Sequence, residues 1–142
     1  MIEGRKQKGG WTAAAVALVC GIVVLGGCAG VEKASKRQKQ RQQFLSYDHV
    51  IRWGDLEEMY AYGRPGSEPV TIQGGLDKIR VTNLEEVGPV LDAGDGRVSR
   101  KIRVEYVLKD RQVVRTLIDE QIWEYDEQSE QWFRVNRPPT FE

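Results

Sequence analysis

The stretch Lys101-Ile102-Arg103-Val104-Glu105-Tyr106-Val107-Leu108 decides the fold of this chain. Its even-numbered residues are all apolar, and three of its four odd-numbered residues are charged. Successive side chains of a strand point to opposite faces of a sheet, so the alternation predicts a strand with one buried and one wetter face. The globular part of the chain is therefore expected to be organised around an antiparallel sheet.

Further strands are predicted on both sides of this stretch. Before it, a strand begins at Ile79, is interrupted at Gly88-Pro89 and resumes with Val90-Leu91, which indicates a bulge or an edge. After it, a long strand runs from Val113 to Tyr125, and its apolar residues change parity once, so another bulge is expected there. A last hairpin then leads to Trp132-Phe133-Arg134-Val135.

Two helices are predicted ahead of the sheet. Apolar residues recur at three- and four-residue spacings on one stripe of a first helix that ends near Gly54: Phe44, Leu45, Tyr47, Val50 and Ile51. Asp55 is placed to cap a second, short helix, whose apolar face consists of Leu56, Met59 and either Tyr60 or Tyr62. Gly63 is placed to close this helix in the left-handed conformation. Residues 64–77 are rich in glycine and proline, which predicts an irregular segment, and Val70 and Ile72 are expected to anchor it.

Helices followed by long antiparallel strands predict an α+β fold, in which the N-terminal helices pack in a curved, mainly antiparallel four-stranded sheet. One domain of the common size is expected over residues 43–142.

The beginning of the chain has the composition of an export signal. Basic residues occur among the first ten positions, and an apolar stretch of 15 residues follows from Trp11 to Leu25. This length suits the apolar region of a signal peptide, whereas a membrane-spanning helix needs about 20 apolar residues. The stretch ends in Leu25-Gly26-Gly27-Cys28, which resembles the lipobox of bacterial lipoproteins. The resemblance implies that residues 1–27 are a signal peptide and that Cys28 is lipidated and becomes the first residue of the mature protein.

Cysteine and charge usage limit the chemistry of the mature chain. Cys20 would leave with the signal peptide, so no disulfide, thiol nucleophile or cysteine-ligated metal is expected, and with one histidine no metal or cofactor site is predicted. Residues 28–42 form a basic tether, interpreted either as a segment lying on anionic headgroups or as a helix-prone spacer that could run straight into the first helix. From Gln42 to Glu142 the chain carries 13 basic and 19 acidic residues, a net charge of −6. This balance argues against nucleic-acid binding.

The order of motifs in the globular part resembles bacterial lipoproteins with the cone-shaped fold of the nuclear transport factor 2-like superfamily, over about residues 43 to 141. The resemblance is carried by five groups of residues: Tyr47-Asp48 to Gly54-Asp55, Leu76 to Val81, Val104-Glu105-Tyr106, Gln121-Ile122-Trp123 and Trp132 to Val135. Some members resemble isomerases or dehydratases that use an Asp or an Asp/His pair inside the cone. The resemblance thus implies a possible cavity, not an activity.

Candidate chemical groups each have a structural interpretation. His49 beside Asp48 is interpreted as a helix-surface or packed histidine, with an acid/base role as the alternative, because neighbours on a helix do not face each other. The strand carboxylates are interpreted as part of a solvated outer face, unless one points into a cavity and acts as a base: Glu105, Asp119 and Glu120. Met59, Tyr60 and Tyr62 are expected in the core rather than in a ligand pocket. Trp123 and Trp132 are expected to form a cross-strand aromatic pair that closes the sheet, with a ligand role as the alternative.

No catalytic constellation is visible, so the sequence favours a lipid-anchored envelope lipoprotein that is not an enzyme. It would act as a binding or scaffold component facing the periplasm. Ala29 follows the cysteine, which resembles the pattern of outer-membrane delivery. Two alternatives stay open: a small-ligand carrier or cavity enzyme of the same fold, and an accessory subunit of a larger envelope complex. The expected partner is the membrane, through the lipid on Cys28, and an envelope protein is the second candidate partner.

Overall fold

The computed structural model describes the backbone of residues 12–142 and the side chains from Ala29 onward. The first eleven residues of the predicted signal peptide and the side chain of Cys28 lie outside the residues described in this way. The chain divides into two compact units, Met1–Gln38 and Lys39–Glu142. Within the described part, no helix combines the length and apolar character needed to cross a membrane.

The helix α1 comprises Thr12–Trp53, so the basic segment and the predicted first helix are one continuous helix, as the helix-prone composition allowed. In the second unit, Phe44, Tyr47 and Ile51 are buried at three- and four-residue spacings. Leu45 was expected in this stripe but is 69% exposed, because it directly follows the buried Phe44 and successive side chains of a helix point about 100° apart.

The predicted second helix is a 3-10 helix, Leu56–Tyr62, with Leu56 and Met59 buried as expected. The side chain of Asp55 accepts a hydrogen bond from the backbone N–H of Glu57 at 3.2 Å, which satisfies one of the free donors of the first turn. The prediction for Gly63 is wrong, since its φ of −67° is not left-handed.

The irregular segment after this helix is anchored by a polar residue. Val70 and Ile72 are exposed, so the prediction that they anchor the segment is wrong. Gln73 holds it instead: its side-chain amide bonds the backbone of Phe141 through both its oxygen and its nitrogen, and its own N–H donates to the Tyr60 hydroxyl at 3.1 Å. An amide side chain can do this because it carries a donor and an acceptor.

Five strands form a strongly curled, open antiparallel sheet, which confirms the α+β prediction. The strands are β1 (Ile79–Glu86), β2 (Leu91–Gly94), β3 (Arg97–Leu108), β4 (Val114–Asp126) and β5 (Gln131–Arg134). Their order is β1-β3-β4-β5, and β2 also pairs with β3. The count exceeds the predicted four because the interruption at Gly88-Pro89 divides one predicted strand into β1 and β2. The Asp95-Gly96 turn between β2 and β3 has positive φ at both residues, as tight hairpins require.

The β3–β4 ladder pairs eleven residues of each strand without a register shift, from Arg97 opposite Glu124 to Val107 opposite Val114. The bulge predicted in β4 is therefore wrong. The change of parity in its apolar residues has another cause, namely polar side chains on the inner face of the sheet.

An aromatic cluster fills the space between the sheet and α1. The Trp123 ring lies 5.4 Å from both the Phe44 and the Tyr47 rings, and Tyr62 lies edge-on to Tyr47 at 5.1 Å. Trp123 is opposite Arg134 in the register, so the predicted Trp123–Trp132 pair is wrong; Trp132 pairs with Tyr125 instead.

Candidate functional site

Four buried polar residues lie on the inner face of the sheet. Arg100 comes from β3, Asp119 and Gln121 from β4, and Arg134 from β5. Side chains on one face of a strand are two residues apart. Asp119 and Gln121 on β4 therefore face inward with the buried Trp123, and Arg134 on β5 faces inward with the buried Trp132. The interior is thus both aromatic and charged.

Asp119 and Arg134 form a buried bidentate ion pair. Nη2 of Arg134 donates to Oδ1 at 2.6 Å and Nη1 to Oδ2 at 3.0 Å. Nη1 also donates to the Tyr47 hydroxyl, while Nε and Nη2 donate to the carbonyl oxygens of Asn136 and Arg137 at 3.2 and 2.9 Å. All five N–H groups of the guanidinium are therefore used within the protein.

The surroundings of Arg134 and Tyr47 shift the pKa values of both side chains. Burial by itself would lower the pKa of Arg134, but its hydrogen bonds to Asp119 and Tyr47 and their charges outweigh it, so the pKa is raised. Burial also raises the pKa of Tyr47, and the charge of Asp119 raises it further, against the opposing effect of Arg134. Both groups thus stay protonated over the physiological range.

Gln121 connects this ion pair to a second arginine. Its Nε2 donates to Oδ2 of Asp119 at 2.7 Å, and its Oε1 accepts from Nε of Arg100 at 2.8 Å and from Nε1 of Trp123 at 2.9 Å. Arg100 in turn binds Asp48 on α1 through both η nitrogens, with 3.2 Å from Nη1 to Oδ2. We call these six residues, which are connected by hydrogen bonds, the buried polar network: Tyr47, Asp48, Arg100, Asp119, Gln121 and Arg134.

The polar groups of the buried polar network are hydrogen-bonded within the protein, which limits the chemistry that they can perform. Among the described residues, no buried side-chain nitrogen or oxygen lacks a hydrogen-bond partner. Both oxygens of Asp119 accept hydrogen bonds from the Arg134 guanidinium, and Oδ2 also accepts one from the Gln121 amide. The arrangement connects α1 with β3 through Asp48 and Arg100, and with β5 through Tyr47 and Arg134, which is in turn bound to Asp119 on β4.

The structure separates the candidates predicted from the sequence. His49 is exposed while Asp48 turns inward to Arg100, so the two do not act as a pair. Glu120 is exposed and binds Lys101 at 2.8 Å, as expected for the outer face, and Glu105 is half-buried. The outer-face interpretation is wrong for Asp119, which is buried because Arg134 on the neighbouring strand neutralises it.

The aromatic and methionine candidates differ in how deeply their side chains are buried. Met59 is buried in the core, which confirms its interpretation as a core residue, and Trp123 and Trp132 are buried there as well. Tyr60 and Tyr62 are half-buried and pack against that core. Met59 and Tyr60 also line a cavity.

This cavity has a volume of about 470 Å³ and lies between residues 63–70 and residues 134–138. Four arginines and two glutamates line it: Arg64, Arg97, Arg134, Arg137, Glu68 and Glu124. We call it the arginine cavity. Its two walls are joined by a parallel bridge between Gly63 and Arg134.

Glu124 links two cations of the arginine cavity. Its Oε1 accepts from Nη2 of Arg64 and its Oε2 from Nε of Arg97, both at 2.6 Å. The hydrogen bond and charge of Glu124 raise the pKa of Arg97. One carboxylate is thus shared between two guanidinium groups.

Apart from Asp119, one of the three candidate carboxylates, the polar residues of the interior and of the cavity were not recognised from the sequence. A signal was present for Asp119, Gln121 and Arg134, because each shares parity with a tryptophan of its own strand. Nothing local indicated that Arg64 and Arg97, from distant parts of the chain, would meet on Glu124.

Comparisons with protein-family models, curated proteins and solved structures find no match to this chain. Over the described residues, no group of three or more His, Cys, Asp or Glu side chains could hold a metal ion. The proposed activity therefore depends on the sequence and the geometry alone.

Proposed function

We propose that this protein is a lipoprotein of the bacterial cell envelope, anchored through Cys28, whose curled-sheet domain is a binding or scaffold component facing the periplasm. The lipobox-like stretch Leu25-Gly26-Gly27-Cys28 supports the anchor. The observation that favours a binding or scaffold role over catalysis is the interior, in which aromatic rings and the buried polar network pack together and, among the described residues, no buried side-chain nitrogen or oxygen lacks a hydrogen-bond partner.

We assign the domain to the nuclear transport factor 2-like superfamily as part of the same proposal. Helices enclosed by a strongly curled antiparallel sheet are compatible with its cone. An experimental structure with a different strand order from β1-β3-β4-β5 would contradict this assignment.

The anchor is tested by exchanging its cysteine. In cells fed an alkyne analogue of palmitate, the Cys28→Ser protein should lose the label and move from the detergent phase to the aqueous phase. A single acyl chain binds membranes only marginally, so stable partitioning needs the several chains that lipoprotein processing attaches.

Cys20→Ser provides the matched control, since Cys20 lies in the predicted signal peptide. This variant should keep the label and the detergent-phase partitioning of the unchanged protein. Equal labelling of the two variants would refute lipidation at Cys28. Mass spectrometry of the mature protein should also find Cys28 as its first residue.

The destination of the protein is a separate part of the proposal. Ala29→Asp should redirect it from the outer to the inner membrane in a proteobacterial host, where aspartate after the cysteine acts as a retention signal. Density fractionation of the membranes measures this. An unchanged distribution would contradict outer-membrane delivery but not lipidation.

A further inference from the structure

We infer that the arginine cavity binds a small organic anion through a carboxylate or phosphate group. This inference rests on the proposal that the domain is a binding component and names the ligand class.

The charge of the cavity contrasts with that of the domain around it. Residues 42–142 have a net charge of −6, yet four of their 13 basic residues line this one cavity, and all four are arginines. Two carboxylates, Glu68 and Glu124, face them. Arginine is the cation whose planar fork matches carboxylate and phosphate oxygens in pairs.

Two of these arginines have N–H groups that could donate hydrogen bonds to a ligand. Arg97 uses only Nε, toward Glu124, and within the described residues its two η nitrogens make no hydrogen bond or ion pair. The guanidinium of Arg137 likewise has no partner among the described side chains and backbone groups. Arg64 gives Nη2 to Glu124 and holds Nη1 4.0 Å from Asp126. An entering anion would therefore meet Arg97 and Arg137 first.

Arg134 has a different part, as a positioning residue. Its five N–H groups are already used, so it cannot bind a ligand directly. Its bonds to the carbonyl oxygens of Asn136 and Arg137 fix the wall that carries Arg137, and the bridge to Gly63 fixes the opposite wall. The buried polar network thus holds the cavity in shape before any ligand binds, which reduces the ordering cost of binding.

The size and lining of the cavity restrict the ligand. Its volume of about 470 Å³ falls within the usual range for small-molecule sites, about 300–1,000 Å³. Met59, Val70 and Pro138 supply apolar surface for an organic body. Glu68 and Glu124 repel a polyanion, so a ligand with one acidic group fits better than a nucleic acid or a polyphosphate.

The test is a titration of the full chain in detergent with phenyl phosphate and, separately, with benzoate. Amide NMR shifts of Gly63, Val70 and Arg137 are followed. Saturable shifts are expected with at least one of the two probes, and the stronger one identifies phosphate or carboxylate as the preferred group. Absence of saturable shifts with both would overturn the inference.

The variants separate a site from general charge attraction. Arg97→Gln with Arg137→Gln should raise Kd at least about tenfold, the loss of about one charge-assisted contact. Arg103→Gln with Arg111→Gln removes the same charge elsewhere, from exposed side chains, and should leave Kd within about twofold. Equal losses of affinity in the two double variants would overturn the inference.

Arg137→Glu is a second variant at an exposed position, which keeps folding intact while reversing the charge. It should abolish saturation, and retained binding would again refute the site. Because the titration uses solubilised protein, its failure concerns the ligand alone, whereas failure of palmitate labelling concerns the anchor alone.

Discussion

Asp119 and Glu120 are consecutive carboxylates on β4, and each forms an ion pair with a residue of an adjacent strand. The Asp119 side chain is 3% exposed and its partner Arg134 2%, whereas Glu120 and Lys101 are 65% and 55% exposed. Water competes with the outer pair and not with the inner one. Similar contacts of 2.6 and 2.8 Å should therefore have very different energetic consequences when they are broken.

The largest effect is expected for Arg134→Met, which leaves Asp119 buried without its cation. Breaking a buried pair in this way costs about 3–5 kcal/mol, so the free energy of unfolding at pH 7 should fall by that amount. Urea denaturation followed by tryptophan fluorescence measures the change.

Arg103→Met is the matched control on the outer face, where Arg103 binds Glu85 at 2.5 Å in an exposed pair. It should cost less than about 1 kcal/mol. Replacing both Asp119 and Arg134 by apolar residues should also cost less than Arg134→Met alone, because no unpaired charge remains. Equal losses for Arg134→Met and Arg103→Met would contradict the contrast between the faces.

Tyr47→Phe should have an intermediate effect, since it removes a hydroxyl that accepts a hydrogen bond from Arg134. Hydrogen bonds to charged groups contribute about 1.5–3 kcal/mol, and a loss near the lower end is expected because Nη1 keeps Asp119 as a partner. Urea denaturation at pH 7 detects it.

The same variant should change the alkaline pH dependence. The pKa of Tyr47 is raised in the folded protein, so above its ordinary value of 10.0 the unfolded state loses this proton first and stability falls as pH rises. Tyr47→Phe should flatten that fall between about pH 10 and 11. An unchanged slope would show that other groups govern it.

Glu120→Gln should change stability by less than about 1 kcal/mol, because both members of its pair stay hydrated. The small effect should shrink further in 1 M salt, where the screening length is about 3 Å. A loss comparable to that of Arg134→Met would refute the role assigned to burial.

The smallest effect is expected at Asp126, whose pKa is lowered by hydrogen bonds from the side chain and backbone of Ser129. Ser129→Ala should bring this pKa closer to 3.8, as measured by NMR titration of the carboxyl carbon. The stabilisation from this shift is present above pH 3.8 and is lost as pH falls through the folded pKa, so the variant should be slightly less stable above pH 3.8 and the difference should vanish in acid. An unmoved pKa would mean that the backbone N–H of residue 129 alone causes the shift.

The α+β class and the positions of the strands could be predicted from the sequence because they depend on local patterns. The alternation at 101–108 and the interruption at Gly88-Pro89 both correspond to features of the sheet. The same patterns failed in β4, where apolar Ile118 and Ile122 lie on the outer face and polar Asp119 and Gln121 on the inner one. Hydrophobicity alone cannot indicate burial when a partner on another strand neutralises the charge.

The arginine cavity was beyond prediction for a different reason. Its charges meet only after β3 has paired with β4 and Gly63 has joined β5, so no window of sequence contains them together. Parity with Trp132 could have placed Arg134 inside, but not its contacts with residues 136 and 137.

The contact of Tyr47 with Arg134 has a kinetic consequence. It joins residues 87 positions apart in the chain, whereas the β3–β4 ladder closes a short loop. Closing the longer loop costs more chain entropy, so the ladder is expected to form early and the helix-to-strand contact after the main folding barrier. Tyr47→Phe, which removes this contact and keeps the pair of Arg134 with Asp119, should then mainly accelerate unfolding, and refolding rates that fall in proportion to the lost stability would contradict this order. The contact between Tyr47 on the helix and Arg134 on β5 would thereby determine how long the folded domain survives more than how quickly it forms.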